Sequence, residues 1–222
     1  VDIPEEAQSW IYISDTRSVR LDKVVLTVAM NDAIVERSAD IRLLGVDDEV
    51  LCNFTITQDA KIITSCANNE IIYTTQDGYS IDLRTTEGFG GNYVSHTFEG
   101  GYGRITFDDD VVTIPLIAFR DCTTITSIYL PDCVTVIARG AFYNCSALES
   151  ITIPAGVTTI GEWAFDECNL EYVAIDNLSH WCNITFADDQ ANPLFYAKEL
   201  YIDGEAITEI TIPEDITTIN SY

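Results

Sequence analysis

Basic residues are scarce in this sequence: 11 lysines and arginines stand against 36 aspartates and glutamates, and the formal net charge is −25. A field of that sign repels nucleic-acid phosphates and anionic membrane surfaces, so nucleic-acid binding is excluded. Long apolar runs are missing too, since none approaches the roughly 18–20 residues that span a bilayer. Membrane association would therefore require an anchor outside this sequence.

The residues and motifs of catalytic sites are also sparse. His96 and His180 are the two histidines, and the sequence has neither the GxSxG motif of serine nucleophiles nor a CxxC pair. His180 and Cys182 lie two apart, which in a strand would put both side chains on one face; packing is favoured over a metal or nucleophile pair. We therefore expect no enzyme activity, no catalytic residue, no cofactor and no metal site.

Acidic clusters occur at Asp47-Asp48-Glu49, Asp108-Asp109-Asp110 and Asp188-Asp189. Calcium binding requires several oxygens that converge from a shaped loop, and the EF-hand consensus is absent. Solvated acidic turns are the favoured interpretation, and calcium binding stays open as the alternative. The hydrophobic content of 47% is that of a folded chain.

A regular internal repeat dominates what is present. The string AFxxC begins at Ala118, Ala141 and Ala164, so the same step separates successive copies. That step, about 23 residues, lies in the range of stacked repeat architectures. Each unit also carries an LxxIxI pattern, whose alternating positions predict a short strand with one face inward. One such unit cannot bury its apolar side alone, whereas stacked units form a continuous core.

The AFxxC string places Phe and Cys three residues apart, which predicts one inward-facing helical or 3₁₀ turn. In successive units the cysteines would then form a row of buried thiols, because free cysteine packs as a small hydrophobe. This interpretation is favoured over a row of metal ligands. The cysteines concerned are Cys122, Cys145 and Cys168.

The strings TTIGEWAF, ALESITIPAGVTTIG and NPLFYAKELYIDGEAITEITIPEDITTI resemble the BspA-like leucine-rich repeats of bacterial surface proteins. The resemblance covers residues 103–222, with an insert near 176–198 that breaks the period. It implies a right-handed solenoid, a cell-surface or secreted location, and a role in adhesion or ligand binding. We expect an outer-membrane lipoprotein whose anchor lies outside this chain, and repeats that continue past Tyr222.

Residues 1–60 lack the repeat and contain short β-prone runs at Trp10–Ile13, Val24–Met30, Ala39–Leu44 and Asn53–Gln58, which suggest an immunoglobulin-like β-sandwich. The strings SWIYIS, VVLTVAMNDAIVERSADIRLLG and NFTITQDA resemble the Bacteroidetes-associated carbohydrate-binding often N-terminal (BACON) domain. The first strands of such a domain would precede Val1.

Residues 61–102 are predicted to be a linker and an N-terminal cap of the solenoid. Glu70–Thr75 and Tyr79–Leu83 are expected to pair as a hairpin around Asp77-Gly78. The whole chain is thus expected to be mainly β with short helical turns.

The outward positions of the repeat strands are the candidate binding residues. Exposed aromatics on a rigid ladder can anchor a partner, with a host surface or matrix protein as the expected one. A glycan-binding accessory role and a structural spacer without ligand are the alternatives, and ordinary cross-strand pairs on a solvated face are the favoured interpretation of the residues themselves. The positions are Ser127, Tyr129, Ser150, Thr152, Tyr172, Glu209 and Thr211.

Overall fold

Strands account for most of the regular structure. The computed structural model describes residues 3–5, 8, 11–13, 26–28, 37–44, 50–58, 66–202 and 205–209. Across these residues the fold is mainly β with very little helix, as the sequence predicts. The chain divides into two units, residues 1–63 and residues 64–222, each of which is described by itself.

Two antiparallel strand pairs form the described part of the first unit. β1 (Ile11–Ile13) pairs with β2 (Leu26–Val28), and β3 (Arg37–Leu44) pairs with β4 (Val50–Gln58). In β3 the side chains alternate, so that Ala39 and Ile41 are buried while Asp40 is exposed. The expected face-to-face sandwich goes beyond these two pairs and remains a prediction.

The second unit contains twelve described strands in two sheets. In chain order they are β5 (Glu70–Thr75), β6 (Tyr93–Glu99), β7 (Tyr102–Phe107), β8 (Thr113–Ile114), β9 (Ile125–Tyr129), β10 (Val136–Ile137), β11 (Ser150–Ile153), β12 (Thr159–Ile160), β13 (Tyr172–Ile175), β14 (Thr185–Phe186), β15 (Glu199–Ile202) and β16 (Glu205–Ala206).

The large sheet has the order β16-β15-β13-β11-β9-β5-β7-β6, and the small sheet has the order β14-β12-β10-β8. Neighbours among β9, β11, β13 and β15 are parallel, as are all neighbours in the small sheet. Thr113 lies opposite Val136, and Val136 lies opposite Thr159. Residues at the same position of successive repeats therefore lie side by side on neighbouring strands. Each repeat therefore contributes one strand to each sheet.

Hydrogen-bonded turns, rather than a helix, carry the AFxxC strings. Within a turn the amide of Cys122 donates to the carbonyl of Phe119 (3.1 Å), and between turns the amide of Phe119 donates to the carbonyl of Ala141 (2.8 Å). The residue before each AF and the fourth residue of each AFxxC string have positive φ, between 54° and 61°. They are Ile117, Gly140 and Trp163 in the first set, and Asp121, Asn144 and Glu167 in the second.

Stacked phenylalanines run through the core between repeats. The rings of Phe119 and Phe142 are parallel within 2° at a centroid distance of 5.3 Å, and Phe142 stacks on Phe165 at 5.4 Å. Phe89 meets the free end of this stack, edge-on to Phe119 at 6.5 Å. All four side chains are fully buried.

The predicted row of buried thiols is confirmed. Cys122, Cys145 and Cys168 are buried and form no disulfide. The Cys145 thiol donates to the carbonyl of Phe119 and the Cys168 thiol to that of Phe142, both at 3.1 Å. These cysteines therefore link successive repeats by packing and weak hydrogen bonds.

The predicted hairpin after residue 69 is wrong. β5 pairs with β7 on one side and β9 on the other, and residues 79–83 form no strand. The amide of Ile81 instead donates to the hydroxyl of the buried Tyr73 (3.1 Å). Both edges of β5 are thus occupied by more distant partners, which leaves no edge for residues 79–83.

Residues 176–198, expected to be an insert, form a variant repeat. They contain α1 (Leu178–Asn183), β14 and the 3₁₀ turns Asp189–Ala191 and Pro193–Phe195. β14 and β15 continue the two sheets in parallel, and Tyr172 of β13 pairs with Glu199 of β15. The repeat is slightly longer than its neighbours but does not interrupt the stack.

Candidate functional site

The outward positions of the large sheet align into rows across the repeats. In one row Ser127 lies opposite Ser150, Ser150 opposite Tyr172, and Tyr172 opposite Glu199. A second row contains Thr152, Ala174 and Tyr201. Their inward neighbours, such as Ile151 and Val173, are buried, so the rows face away from the core. We call the two rows, together with Tyr129, the strand face.

The tyrosines of the strand face differ in their surroundings. Tyr172 has 37% of its surface exposed and packs against Tyr201, with ring centroids 4.9 Å apart. Tyr129, at the end of β9, is half-buried and lies opposite Ile72 of β5. Sequence reasoning missed Tyr201, although aligning ELYI with YVAI would have placed it in the second row.

Glutamates accompany the strand face. Glu149 and Glu171 are exposed at the starts of β11 and β13, and the amide of Glu171 donates to the carbonyl of Glu149 (2.7 Å). Glu199 is exposed and accepts a hydrogen bond from the Tyr201 hydroxyl (3.3 Å); its charge raises the pKa of Tyr201. The nearest cation to this group is Lys198, 3.8 Å from Glu171, so the surroundings of the strand face are acidic.

Two of the predicted binding residues lie apart from these rows. Glu209 is exposed in a bend after β16. Thr211 lies outside the residues that the structure describes. The strand face therefore brings together Ser127, Tyr129, Ser150, Thr152 and Tyr172 from the sequence-predicted set.

A groove between the turns of three repeats was missed by sequence reasoning. It has a volume of about 510 Å³. We call it the turn groove; its lining residues are Leu116, Ile117, Arg120, Arg139, Gly140, Tyr143, Trp163 and Asp166. None of them belongs to a strand, since all lie in the turns that join the small sheet to the large one.

The turn groove is amphipathic. Leu116 and Trp163 expose 55% and 40% of their surface. The Arg139 guanidinium carbon lies 4.3 Å from the centre of the Trp163 ring, and that of Arg120 lies 5.0 Å from the centre of the Tyr143 ring. Both distances are within the range of cation–π contacts.

At the far end of the turn groove, Asp166 accepts hydrogen bonds at Oδ1 from the Tyr196 hydroxyl (2.8 Å) and from the Glu167 amide (3.0 Å). Burial and this bond to Asp166 raise the pKa of Tyr196. Both donors hold the carboxylate in place.

His180 and Cys182 do not form a pair. They lie in α1 rather than in a strand, so their two-residue spacing puts them on different sides. The His180 ring faces Asp176 (Nδ1 to Oδ2, 2.8 Å), whereas Cys182 is buried. Across the described part of the chain, no group of three or more His, Cys, Asp or Glu side chains is placed to hold a metal ion.

The acidic turn Asp108–Asp110 is explained by packing. Asp108 accepts hydrogen bonds from the amide (2.6 Å) and the side chain (3.0 Å) of Asn92, and these bonds lower its pKa. Gly91 approaches the turn so closely that a Cβ there would lie 2.6 Å from the Asp109 nitrogen. Gly90 and Gly91 thus allow the loop to lie against this turn.

The repeat region is similar to regions of known proteins. The family model described as "BspA type Leucine rich repeat region" matches residues 95–192 in six copies. A crystal structure of a leucine-rich repeat protein from Bacteroides ovatus ATCC 8483 is similar over 56% of this chain and 40% of its own, with 23% identity and a TM-score of 0.33. No curated protein matches the chain significantly in sequence. Residues 95–192 are thus similar to BspA-type leucine-rich repeat regions.

Proposed function

We propose that this protein is a non-catalytic binding protein of a bacterial surface and that the strand face holds a host surface or matrix protein. The observation that carries the proposal is the alignment of hydroxyl and tyrosine side chains across successive parallel strands. Neighbouring strands lie about 4.8 Å apart, so these side chains form a regular, nearly flat surface. Flat surfaces suit protein partners, whereas small ligands prefer concave sites.

The charge of the strand face favours a basic partner. Glu149, Glu171 and Glu199 flank the rows, and the chain carries a formal net charge of −25. Charge complementarity accelerates association and rejects partners of like charge. The expected partner is thus a protein with a lysine- and arginine-rich patch rather than an acidic polysaccharide.

Binding of the purified chain to immobilised matrix proteins and to a glycan array tests the proposal. We expect saturable protein binding that weakens about 5- to 30-fold in the Tyr129→Ala, Tyr172→Ala double variant, as for truncated interface tyrosines. Tyr79→Ala is the matched control, because Tyr79 is an exposed tyrosine of a loop away from the strand face. Affinity should also fall as salt is raised from about 50 to about 300 mM.

Glycan binding is the alternative that a specific observation favours. The Tyr172 and Tyr201 rings, 4.9 Å apart, form a small aromatic platform of the kind on which sugar rings stack. Salt-insensitive binding on the glycan array, lost in Tyr172→Ala, would support this function and refute the basic-protein partner. If the wild-type chain binds neither the matrix proteins nor the glycan array, the result would support a structural spacer.

The wider architecture belongs to the same proposal. We infer that the repeats wind into a right-handed solenoid, which the parallel register of successive repeats supports. We also infer that residues 1–60 are a BACON-like, immunoglobulin-like sandwich, which the antiparallel pairs β1–β2 and β3–β4 support. We also propose a cell-surface location, as a lipoprotein. Within the described residues no helix is long and apolar enough to cross a membrane.

A further inference from the structure

We propose that the turn groove is a second binding site and that its ligand is a sugar carrying a single carboxylate group, such as a uronic or sialic acid at the end of a glycan. The site is independent of the strand face, because none of its residues lies in the large sheet. Its volume of about 510 Å³ falls within the 300–1,000 Å³ typical of small-ligand sites.

The cleft exists because one repeat has a glycine where its neighbours have large side chains. Ile117, Gly140 and Trp163 occupy equivalent positions, one residue before each AF, and share φ values of 54–58°. Ile117 and Trp163 thus form two walls, and the missing side chain of Gly140 leaves the space between them. A Cβ on Gly140 would lie 3.5 Å from Ile117 and 3.7 Å from Tyr143, which are ordinary contact distances, so a side chain could start there without a clash and would occupy the cleft.

Arginines supply the recognition of a carboxylate. The Arg139 guanidinium lies over the Trp163 ring and that of Arg120 lies over the Tyr143 ring, so both charged groups are held at the groove. A guanidinium can bind a carboxylate through two parallel N–H donors, which is the geometry that arginine provides and lysine does not.

The existing partners of these arginines leave them available. Arg120 is 3.6 Å from Asp121 and Arg139 is 3.4 Å from Glu162, with about half of each arginine side chain exposed. Exposed pairs of this kind are weak and screened by water. A ligand carboxylate can therefore add to them or replace them.

The charge of the unit limits the ligand to one carboxylate. Residues 64–222 contain five lysines and arginines against 24 aspartates and glutamates, and two of the five line the turn groove. A polyanion would meet repulsion all around this site, whereas a single carboxylate meets the local guanidinium pair.

The rest of the turn groove fits a hydroxylated ring. Asp166 offers a carboxylate acceptor for hydroxyl groups, and the exposed Leu116 and Ile117 side chains can cover the C–H face of a pyranose. A fatty acid would instead need an enclosed apolar pocket, whereas Arg120, Arg139 and Asp166 place charged groups along this groove. Carboxylate, hydroxyls and one apolar face together describe an acidic sugar.

Titration of the full chain, followed by nuclear magnetic resonance, tests the proposal. The probes are methyl β-D-glucuronide and the methyl α-glycoside of N-acetylneuraminic acid, with methyl β-D-glucoside as the neutral counterpart. We expect saturable shifts at the turn-groove residues with at least one acidic glycoside, and at least about tenfold weaker binding of the neutral one, which lacks the charge-assisted bonds.

Three variants should each weaken binding at least about tenfold: Arg139→Gln, Arg120→Gln and Gly140→Asn. Asparagine tolerates positive φ and would fill the cleft, so Gly140→Asn tests shape separately from charge. Lys198→Gln is the matched control, because it removes one exposed positive charge of the same unit outside the site. Urea unfolding of each variant shows whether it still folds. The variants that fold are the ones that test the proposal.

Four results would overturn the proposal: no saturation by either acidic glycoside at about 10 mM, equal binding of the neutral glycoside, equal loss in Lys198→Gln, or tighter binding of an acetylated tripeptide with a free C-terminal carboxylate. The Tyr129→Ala, Tyr172→Ala double variant should keep its affinity for the acidic glycoside. A result that refutes ligand binding at the turn groove can therefore be distinguished from one that refutes binding at the strand face.

Discussion

Replacing Glu167 by asparagine should stabilise the repeat region. Asp121, Asn144 and Glu167 occupy the same turn position in three repeats, with φ of 60°, 57° and 61°. Left-handed backbone costs an ordinary L-residue about 1–2 kcal/mol, and asparagine is several-fold enriched there. Glu167 is exposed, so little packing is lost on substitution. We expect the free energy of unfolding to rise by about 0.5–1 kcal/mol, which corresponds to a Tm higher by about 1–4 °C.

Urea unfolding followed by tryptophan fluorescence measures this change. A Trp10→Phe background leaves Trp163 and Trp181, both within residues 64–222, as the reporters. Glu167→Gln is the matched control, because it removes the same charge but keeps a side chain without the asparagine preference. Equal stability of Glu167→Asn and Glu167→Gln would refute the reasoning, since the whole gain would then come from the charge.

The reverse substitution should be harmful for two reasons. Asn144→Glu places a residue averse to positive φ in the turn and removes the hydrogen bond from the Asn144 side chain to Asp121 (2.9 Å). It also puts two carboxylates together at that contact. A loss of more than about 1 kcal/mol is expected in the same assay.

Two further predictions concern the core. Phe142→Ala should destabilise the repeat region by about 3–5 kcal/mol in urea unfolding, because the ring is fully buried between two others, whereas Phe195→Ala, whose side chain is 59% exposed, should cost far less. Burial raises the pKa of Cys122 from 9.0 to about 11. The unfolded thiol therefore loses its proton first, so the free energy of unfolding should fall as pH rises from 9 to 11. Cys122→Ala should flatten this fall by roughly 1.4 kcal/mol per pH unit, measured as unfolding midpoints against pH; an unchanged slope would contradict the assignment.

The parts of the fold that repeat were predictable from the sequence. Phe142 and Cys145 recur at a fixed step because they face the core in every repeat, and the alternation of Ile151 and Ile153 follows from one buried face of β11. Periodic burial leaves a periodic pattern. The strands β9, β11 and β13 and the row of thiols follow directly from it.

Elements that depend on distant partners could not be read in this way. The Asp77-Gly78 turn signal suggests a local hairpin, yet β5 pairs with β7 and β9, which a local pattern does not reveal. The repeat that contains α1 was not predicted for a related reason. Its turn lacks the AFxxC string, so the pairing of β15 with β13 becomes visible only in the structure.

The turn groove was not predicted from the sequence for the opposite reason. Repeat comparison selects positions that stay the same, and the groove is built from positions that change, such as Gly140 and Trp163. Writing the three turns beneath one another would have shown both arginines beside aromatic residues. That juxtaposition is the signal in the sequence that could have found the site.

The hydrogen bonds between turns have a consequence for how such chains can evolve. The amides of residues 117, 119 and 121 donate to the carbonyls of residues 139, 141 and 143, and residues 140, 142 and 144 repeat the arrangement one unit further. Cohesion between these turns thus relies on main-chain atoms, which every amino acid except proline supplies. A tandem duplication of one unit would find its hydrogen-bonding partners without compensating substitutions, while the outward side chains remain free to diversify. Length and surface chemistry can therefore be selected separately in this architecture.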